Sequence, residues 1–302
     1  MRLDQLPRSE QIEDRRGDGR RSLPTGRAGG IGIGTILLLT VVGWAFGINP
    51  MYLISGAEML SGLQRSTQQA PPAPDNNRSR YASDGMSEFV SAVLGSTEAQ
   101  WKDIFAQNGR MYEAPTLVMF SGATQSACGF AQSAMGPFYC PNDRKVYLDT
   151  TFFDDLVRRF RGCDAGSKSC QFSQAYVITH EVGHHVQNLL GVLGRVQEMQ
   201  SAVGEAQRNQ LQVQVELQAD CLAGVWAHYA EERWRIIEPG DVEAAIQTAS
   251  AIGDDRLQRR AQGYVVPDSF THGSSEQRTR WFLTGLQSGQ LSNCDTFKPE
   301  TP

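Results

Sequence analysis

The chain has 302 residues, of which 40% are hydrophobic and 20% charged, a balance within the globular range and a length that suits one large or two ordinary domains. Its net charge of -5 leaves no overall basic field, which excludes nucleic-acid binding as its organising function.

Residues 1–27 are polar and carry seven arginines, Arg2, Arg8, Arg15, Arg16, Arg20, Arg21 and Arg27. From Ala28 to Ala57 no residue is charged. The first part of that run, AGGIGIGTILLLTVVGWAFGIN (residues 28–49), would span roughly 33 Å as a helix, enough for a hydrocarbon core of about 30 Å. The run is longer than the apolar core of a signal peptide and no small-x-small cleavage site directly follows it, so it reads as an uncleaved transmembrane signal anchor. The next basic residue is Arg65. That asymmetry predicts a single-pass membrane protein with residues 1–27 in the cytoplasm and everything after residue 50 in the periplasm or outside the cell. Gly30 and Gly34 form a G-x-x-x-G pair through which two such helices could make a homodimer.

Residues 50–80 read as a juxtamembrane segment and linker, because STQQAPPAPDNNRSR (66–80) is polar, proline-rich and without periodicity. A soluble domain over residues 81–302 follows. All six cysteines, Cys128, Cys140, Cys163, Cys170, Cys221 and Cys294, fall in it, an even count suited to three bridges in an oxidising compartment. Fifteen pairings are open. The preferred one joins Cys128 to Cys140 and Cys163 to Cys170, close in sequence, and leaves Cys221 with Cys294. No C-x-x-C spacing supports a zinc ribbon.

Within the domain, DGMSEFVSAVLGSTEAQWKDIFAQNG predicts two short helices, capped by Asp84 and by Ser96 or Thr97. APTLVMFSG (114–122) and GPFYCPNDRKVYLD (136–149) predict strands, the second a hairpin turning at Pro141 to Asp143. TTFFDDLVRRF (150–160) predicts a helix, and so do residues 175–190, 208–233, 239–251 and 275–287. A small sheet followed by helices is an α+β arrangement.

Three of the five histidines fall in HEVGHH, residues 180–185. His180-Glu181-Val182-Gly183-His184 fits H-E-x-x-H. On a helix the imidazoles at i and i+4 point the same way, so His180 and His184 can reach one Zn²⁺ at about 2.0–2.1 Å. Glu181, one step round, can hold the metal-bound water and accept its proton. Downstream, ELQAD places Glu216 and Asp220 one turn apart in apolar surroundings, where an unpaired carboxylate would be costly. Two histidines and the Glu216 carboxylate leave a fourth zinc position for water, the catalytic rather than the structural arrangement. Asp220 can then accept the free ring N–H of a ligand histidine and fix its tautomer. His185 lies about 100° off the ligand face and predicts a packing role. His228 has no partner pattern.

HEVGHH, the ELQAD helix, THGSSEQRTRWF (271–282) and the opening MRLDQLPRSEQIEDRRG together resemble the bacterial "putative neutral zinc metallopeptidase" family, membrane-anchored relatives of the gluzincin clan. The resemblance implies a zincin-like metallopeptidase domain over residues 81–302, with Zn²⁺ on His180, His184 and Glu216, Glu181 as base and Asp220 behind the ligands. It further implies that His272 stabilises an oxyanion, against an exposed loop histidine as the plain alternative, and that the hairpin at 136–149 supplies an edge strand for an extended protein or peptide substrate. The expected function is that of a zinc-dependent endopeptidase. The rival is a non-catalytic zinc-containing envelope protein with a structural or partner-binding role, which would have no need of Glu181.

Overall fold

The computed structural model describes residues 1–17, 84–132, 136–164 and 167–298. The expected anchor at 28–49 with its Gly30 and Gly34 pair, and the linker up to residue 80, lie outside the described residues. Among the described residues no helix is long and apolar enough to cross a membrane.

In chain order β1 (Ile12–Asp14) is followed by α1 (Gly85–Gln107), β2 (Thr116–Phe120), β3 (Ala123–Ser126), β4 (Gly129–Gln132), β5 (Phe138–Cys140) and β6 (Lys145–Asp149). The later elements are helical: α2 (Phe152–Arg158), α3 (Cys170–Leu189), α4 (Val192–Ser201), α5 (Glu205–Trp234), α6 (Asp241–Ala251), α7 (Asp254–Gln262) and α8 (Ser275–Ser288), with short 3-10 turns at Pro267–Ser269 and Leu291–Cys294. The chain is therefore α+β, mostly helical with small sheets.

The larger sheet has the order β1-β2-β6-β5, with β1, β2 and β6 parallel and β5 antiparallel to β6. Alternation along the strands gives each face its own core. Leu117 and Met119 with Val146 and Leu148 join the cluster that contains Phe89, Val93, Ile178 and Val182 of α1 and α3. Val118, Phe120 and Tyr147 face the other way and pack with Ala131 of β4 and Cys140. Strand β2 is thus buried on both faces, which explains why TLVMF is an unbroken apolar run. At the sheet's end, β5 pairs only with β6 among the described residues.

One expectation needs correction. The predicted pair of helices is one 23-residue helix, α1, capped by Asp84, whose carboxylate accepts Ser87 N–H at 2.7 Å. Ser96 and Thr97 do not start a second helix; their hydroxyls donate back to the Val93 and Leu94 carbonyls at 2.6 and 2.7 Å, leaving the helix unbroken. Gly95, inside the unbroken helix, is a contact point. A Cβ there would lie 2.4 Å from the Pro7 carbonyl oxygen.

Residues 1–17, expected as part of a segment ending at 27, form one compact unit with the described residues from 84 onward. Leu6 is buried in the main core, β1 adds a parallel strand to β2, and the Arg16 guanidinium reaches the Asp84 carboxylate at 2.8 Å. The physical reason is an open edge: without Ile12–Asp14, β2 would expose a row of unpaired backbone groups.

All three preferred disulfides form, Cys128–Cys140, Cys163–Cys170 and Cys221–Cys294. The first ties the β3–β4 hairpin to β5, the second links the N-terminus of α3 to the preceding loop, and the third fastens the last turn to α5.

Candidate metal centre

Helix α3 carries the H-E-x-x-H residues. Its sequence, CQFSQAYVITHEVGHHVQNL, buries residues on nearly every side, because the sheet and α1 lie on one flank and α5 and α6 on the others. His180 and His184, one turn apart, have ring centroids 4.8 Å apart. Helix α5 supplies the carboxylate: Glu216 Oε2 lies 3.2 Å from His180 Nε2, and Glu216 Oε1 lies 3.6 Å from His184 Nε2.

What lets the two helices come this close is Gly183. A Cβ at Gly183 would meet the Ala219 carbonyl oxygen at 3.0 Å and its Cα at 3.1 Å, so only glycine permits this approach without displacement. Ala219 stands one turn beyond Glu216, and the same contact therefore sets how far the Glu216 carboxylate reaches.

One ligand atom from each of His180, His184 and Glu216 falls within a group no wider than 4.8 Å. Four-coordinate zinc with ligands at about 2.0–2.1 Å requires neighbouring donors roughly 3.3–3.5 Å apart, and the two imidazoles lie near that distance from the Glu216 carboxylate, His180 at 3.2 Å from one oxygen and His184 at 3.6 Å from the other. The donor set fits a zinc ion.

The surrounding hydrogen bonds set the tautomers the site needs. His180 Nδ1–H donates to Asp220 Oδ1 at 2.8 Å, which leaves Nε2 as the free lone pair. His184 Nδ1–H donates to Gln187 Oε1 at 2.8 Å, and the Gln187 amide in turn donates to the Val215 carbonyl and to Gln218 Oε1. Gln212 donates to Glu216 Oε1 at 3.1 Å. Asp220 is fully buried and also accepts the Tyr176 hydroxyl and two N–H groups of Arg278, at 2.8 and 2.9 Å.

The electrostatics point the same way. Burial opposes a positive charge on His180, yet the Asp220 and Glu216 carboxylates outweigh it and push its pKa up to about 10. For Glu216, burial would raise the pKa, but the two histidines pull it well below the usual carboxylate range. The field at this spot favours a cation. Glu181, also buried, has its pKa raised by burial against the opposing influence of His180 and His184, which moves it toward the range useful for a proton acceptor that must later donate.

The group opens into a cleft of about 790 Å³. Phe138 and Tyr139 of β5, Leu193 and Val196 of α4, and His272 are among its lining residues. His272 lies on the loop before α8, and the Asp254 carboxylate holds that loop by accepting the backbone N–H groups of Thr271, His272 and Gly273. Its ring lies 3.3 Å from Asp254 Oδ1, and this contact outweighs burial to raise the imidazole pKa. The side chain is about half exposed, at 52%, in the wall of the cleft.

Sequence reasoning placed His180, His184, Glu181, Glu216, Asp220 and His272, and the structure brings all six to one cleft or directly behind it. His185, expected to pack, is buried between Tyr112 and Tyr139 and bonds the Tyr139 hydroxyl and the Glu113 carbonyl. His228 bonds the Leu286 carbonyl, far along α5. Four residues behind the ligands were missed: Tyr176, Gln187, Gln212 and Arg278. Tyr176 and Gln187 had a usable signal, since they stand at i-4 from His180 and i+3 from His184 on the ligand face of α3.

Comparison with known proteins agrees with this site. The sequence pattern of the family described as "Putative neutral zinc metallopeptidase" matches residues 1–297. The chain is 42% identical over 306 aligned positions to an Escherichia coli protein named "Uncharacterized protein YpfJ", covering 98% of this chain and 99% of that one. It is 44% identical over 218 positions to "Uncharacterized protein Rv2575" of Mycobacterium tuberculosis, covering 69% of each. No solved structure matches significantly.

Proposed function

The chain belongs to the family described as "Putative neutral zinc metallopeptidase", and on that premise we propose that it is a zinc-dependent endopeptidase whose ligands are His180, His184 and Glu216. The observation that carries the reading is the donor set itself. Two imidazoles and one carboxylate converge in the wall of the cleft, so a zinc ion held by them would keep a further position open to water. Beside it stands Glu181, a carboxylate that a purely structural zinc site has no use for.

Zinc, when bound, supplies a Lewis acid that polarises the scissile carbonyl and acidifies a water molecule. The chain's own residues do the rest. Glu181 takes the water proton and later delivers it to the leaving amine, a double duty that its raised pKa suits. Asp220 and Gln187 hold the two ligand imidazoles in the tautomer that presents Nε2 to the cation. His272, oriented by Asp254, offers an N–H toward charge that develops on the carbonyl oxygen. Strand β5, unpaired on its outer side among the described residues and lining the cleft, offers backbone groups to an extended protein or peptide substrate.

The deciding experiment is Glu181→Gln. Zinc content by metal analysis should match that of the parent while cleavage of an unfolded protein substrate disappears. Undiminished cleavage would remove Glu181 from the mechanism, and an absence of cleavage in the zinc-loaded parent itself would favour the non-catalytic envelope protein.

A further inference from the structure

Residues 1–17 are built into the metal-site domain at points distributed over their whole length. The Arg2 N–H donates to the Ile236 carbonyl at 2.9 Å, beyond the end of α5. Met1 and Leu6 are buried in the same core as Trp101 and Trp226. Ser9 exchanges hydrogen bonds with Ser91 of α1, N–H to carbonyl at 3.0 Å one way and hydroxyl to carbonyl at 2.9 Å the other. Pro7 crosses α1 at Gly95, which has no side chain to obstruct it. The backbone of Gln11 and Arg15 bonds β2 at Leu117 and Met119, at 2.9 and 2.7 Å, and the Lys145 ammonium of β6 reaches Glu13 at 2.9 Å.

These contacts involve α1, β2, β6 and the segment after α5, four separate parts of the domain. None of them can form across a bilayer whose apolar core is about 30 Å thick. A single crossing by the uncharged run at 28–57, with residues 1–17 on one side and the domain on the other, would tear Leu6 out of the core and leave β2 with an open edge.

We infer that residues 1–17 occupy the same compartment as the metal-site domain, so that the uncharged run between them begins and ends on one face of any membrane it enters. The three disulfides assign that compartment to the oxidising side. The arginine bias before the run argues the other way during insertion, but in the fold Arg15 and Arg16 are ion-paired with Glu13, Asp14 and Asp84. The inference is independent of catalysis and stands or falls without it.

The test uses the full-length chain in sealed right-side-out vesicles and a maleimide that cannot cross membranes. Its six native cysteines are bonded in pairs, so a single new thiol can be followed, in Glu10→Cys and, separately, in Glu205→Cys; both positions are exposed. The expected result is equal labelling of the two before permeabilisation. Equal protection of both until permeabilisation also supports a shared compartment and moves it to the inner side. Labelling of Glu205→Cys with protection of Glu10→Cys overturns the inference. A second readout does not depend on vesicles: in the detergent-solubilised parent, trypsin should spare the bonds after Arg15 and Arg16 for as long as the domain stays folded, and prompt cleavage there overturns the inference as well.

Discussion

Arg278 grips Asp220 through two hydrogen bonds of 2.8 and 2.9 Å, with both side chains essentially shut off from solvent. The same carboxylate orients His180, so a guanidinium on α8 governs an imidazole of the candidate metal centre on α3 with which it makes no hydrogen bond. Burial disfavours the Asp220 charge, and Arg278 and His180 outweigh it to hold the pKa at about 2.

Breaking that pair should be expensive. Arg278→Met leaves a buried carboxylate without its counter-charge, a change that typically costs about 3–5 kcal/mol. Urea denaturation should show a loss of that order, and a second change, Asp220→Asn, should restore part of it. Arg278→Lys should fall between, because an ammonium keeps the charge but not the two-pronged geometry.

Gly183→Ala should separate α3 from α5. The added methyl meets the Ala219 backbone at 3.0 Å, and backbone cannot rotate away. Overpacking of this kind costs about 1–3 kcal/mol, and here it also pulls Glu216 away from the imidazoles. Competition against a chelator should therefore report weaker zinc binding than in the parent, beyond any change in melting temperature.

His272→Ala should reduce turnover by about 10²–10³-fold, the range for loss of one donor to a developing oxyanion. Zinc content should not change, since His272 is not among the ligands. A steady-state comparison that finds the loss in KM rather than kcat would reassign His272 to substrate binding.

Acid should loosen the attachment of the N-terminal strand first. The Arg15 hydrogen bond, aided by Lys145 and opposed by burial, lowers Glu13 from 4.5 to about 2. Burial would raise Asp84, but the Ser87 N–H and Arg16 outweigh it and lower its pKa too. Because both folded values lie below the unfolded ones, their stabilisation is complete above the ordinary carboxylate range and drains away as pH falls toward 2. Unfolding midpoints followed against pH should be flat near neutrality and fall below about pH 5, and Lys145→Met should flatten that fall.

Removing disulfides should rank them by the loop they close. Cys221–Cys294 spans 73 residues and Cys163–Cys170 only 7. Chain entropy assigns about 4 kcal/mol to the first and about 2 kcal/mol to the second. Paired alanine variants compared by thermal unfolding should keep that order.

The helices and strands of the domain were largely legible because their signals are local. The short apolar runs in TLVMF and KVYLD and the longer run around His180 each specify an element with little outside help. Helix α1 was misread because Ser96 and Thr97 look like a boundary until their hydroxyls are seen to bond back along the helix. Helices α4 and α7 and the β3–β4 hairpin went unpredicted, being short and polar, with apolar positions too few to show a period.

The sequence by itself determined the candidate donors: two histidines one helical turn apart, a glutamate between them and a carboxylate on a later helix, a set that could hold a metal ion. Tertiary structure alone decided which groups stand behind those ligands and where the first 17 residues go. Arg278 and Gln187 act through partners 58 and 28 positions away in the chain, and Leu6 joins a core built mainly from helices and strands far along it; such pairings are set by packing between elements, for which a linear pattern carries no periodic trace.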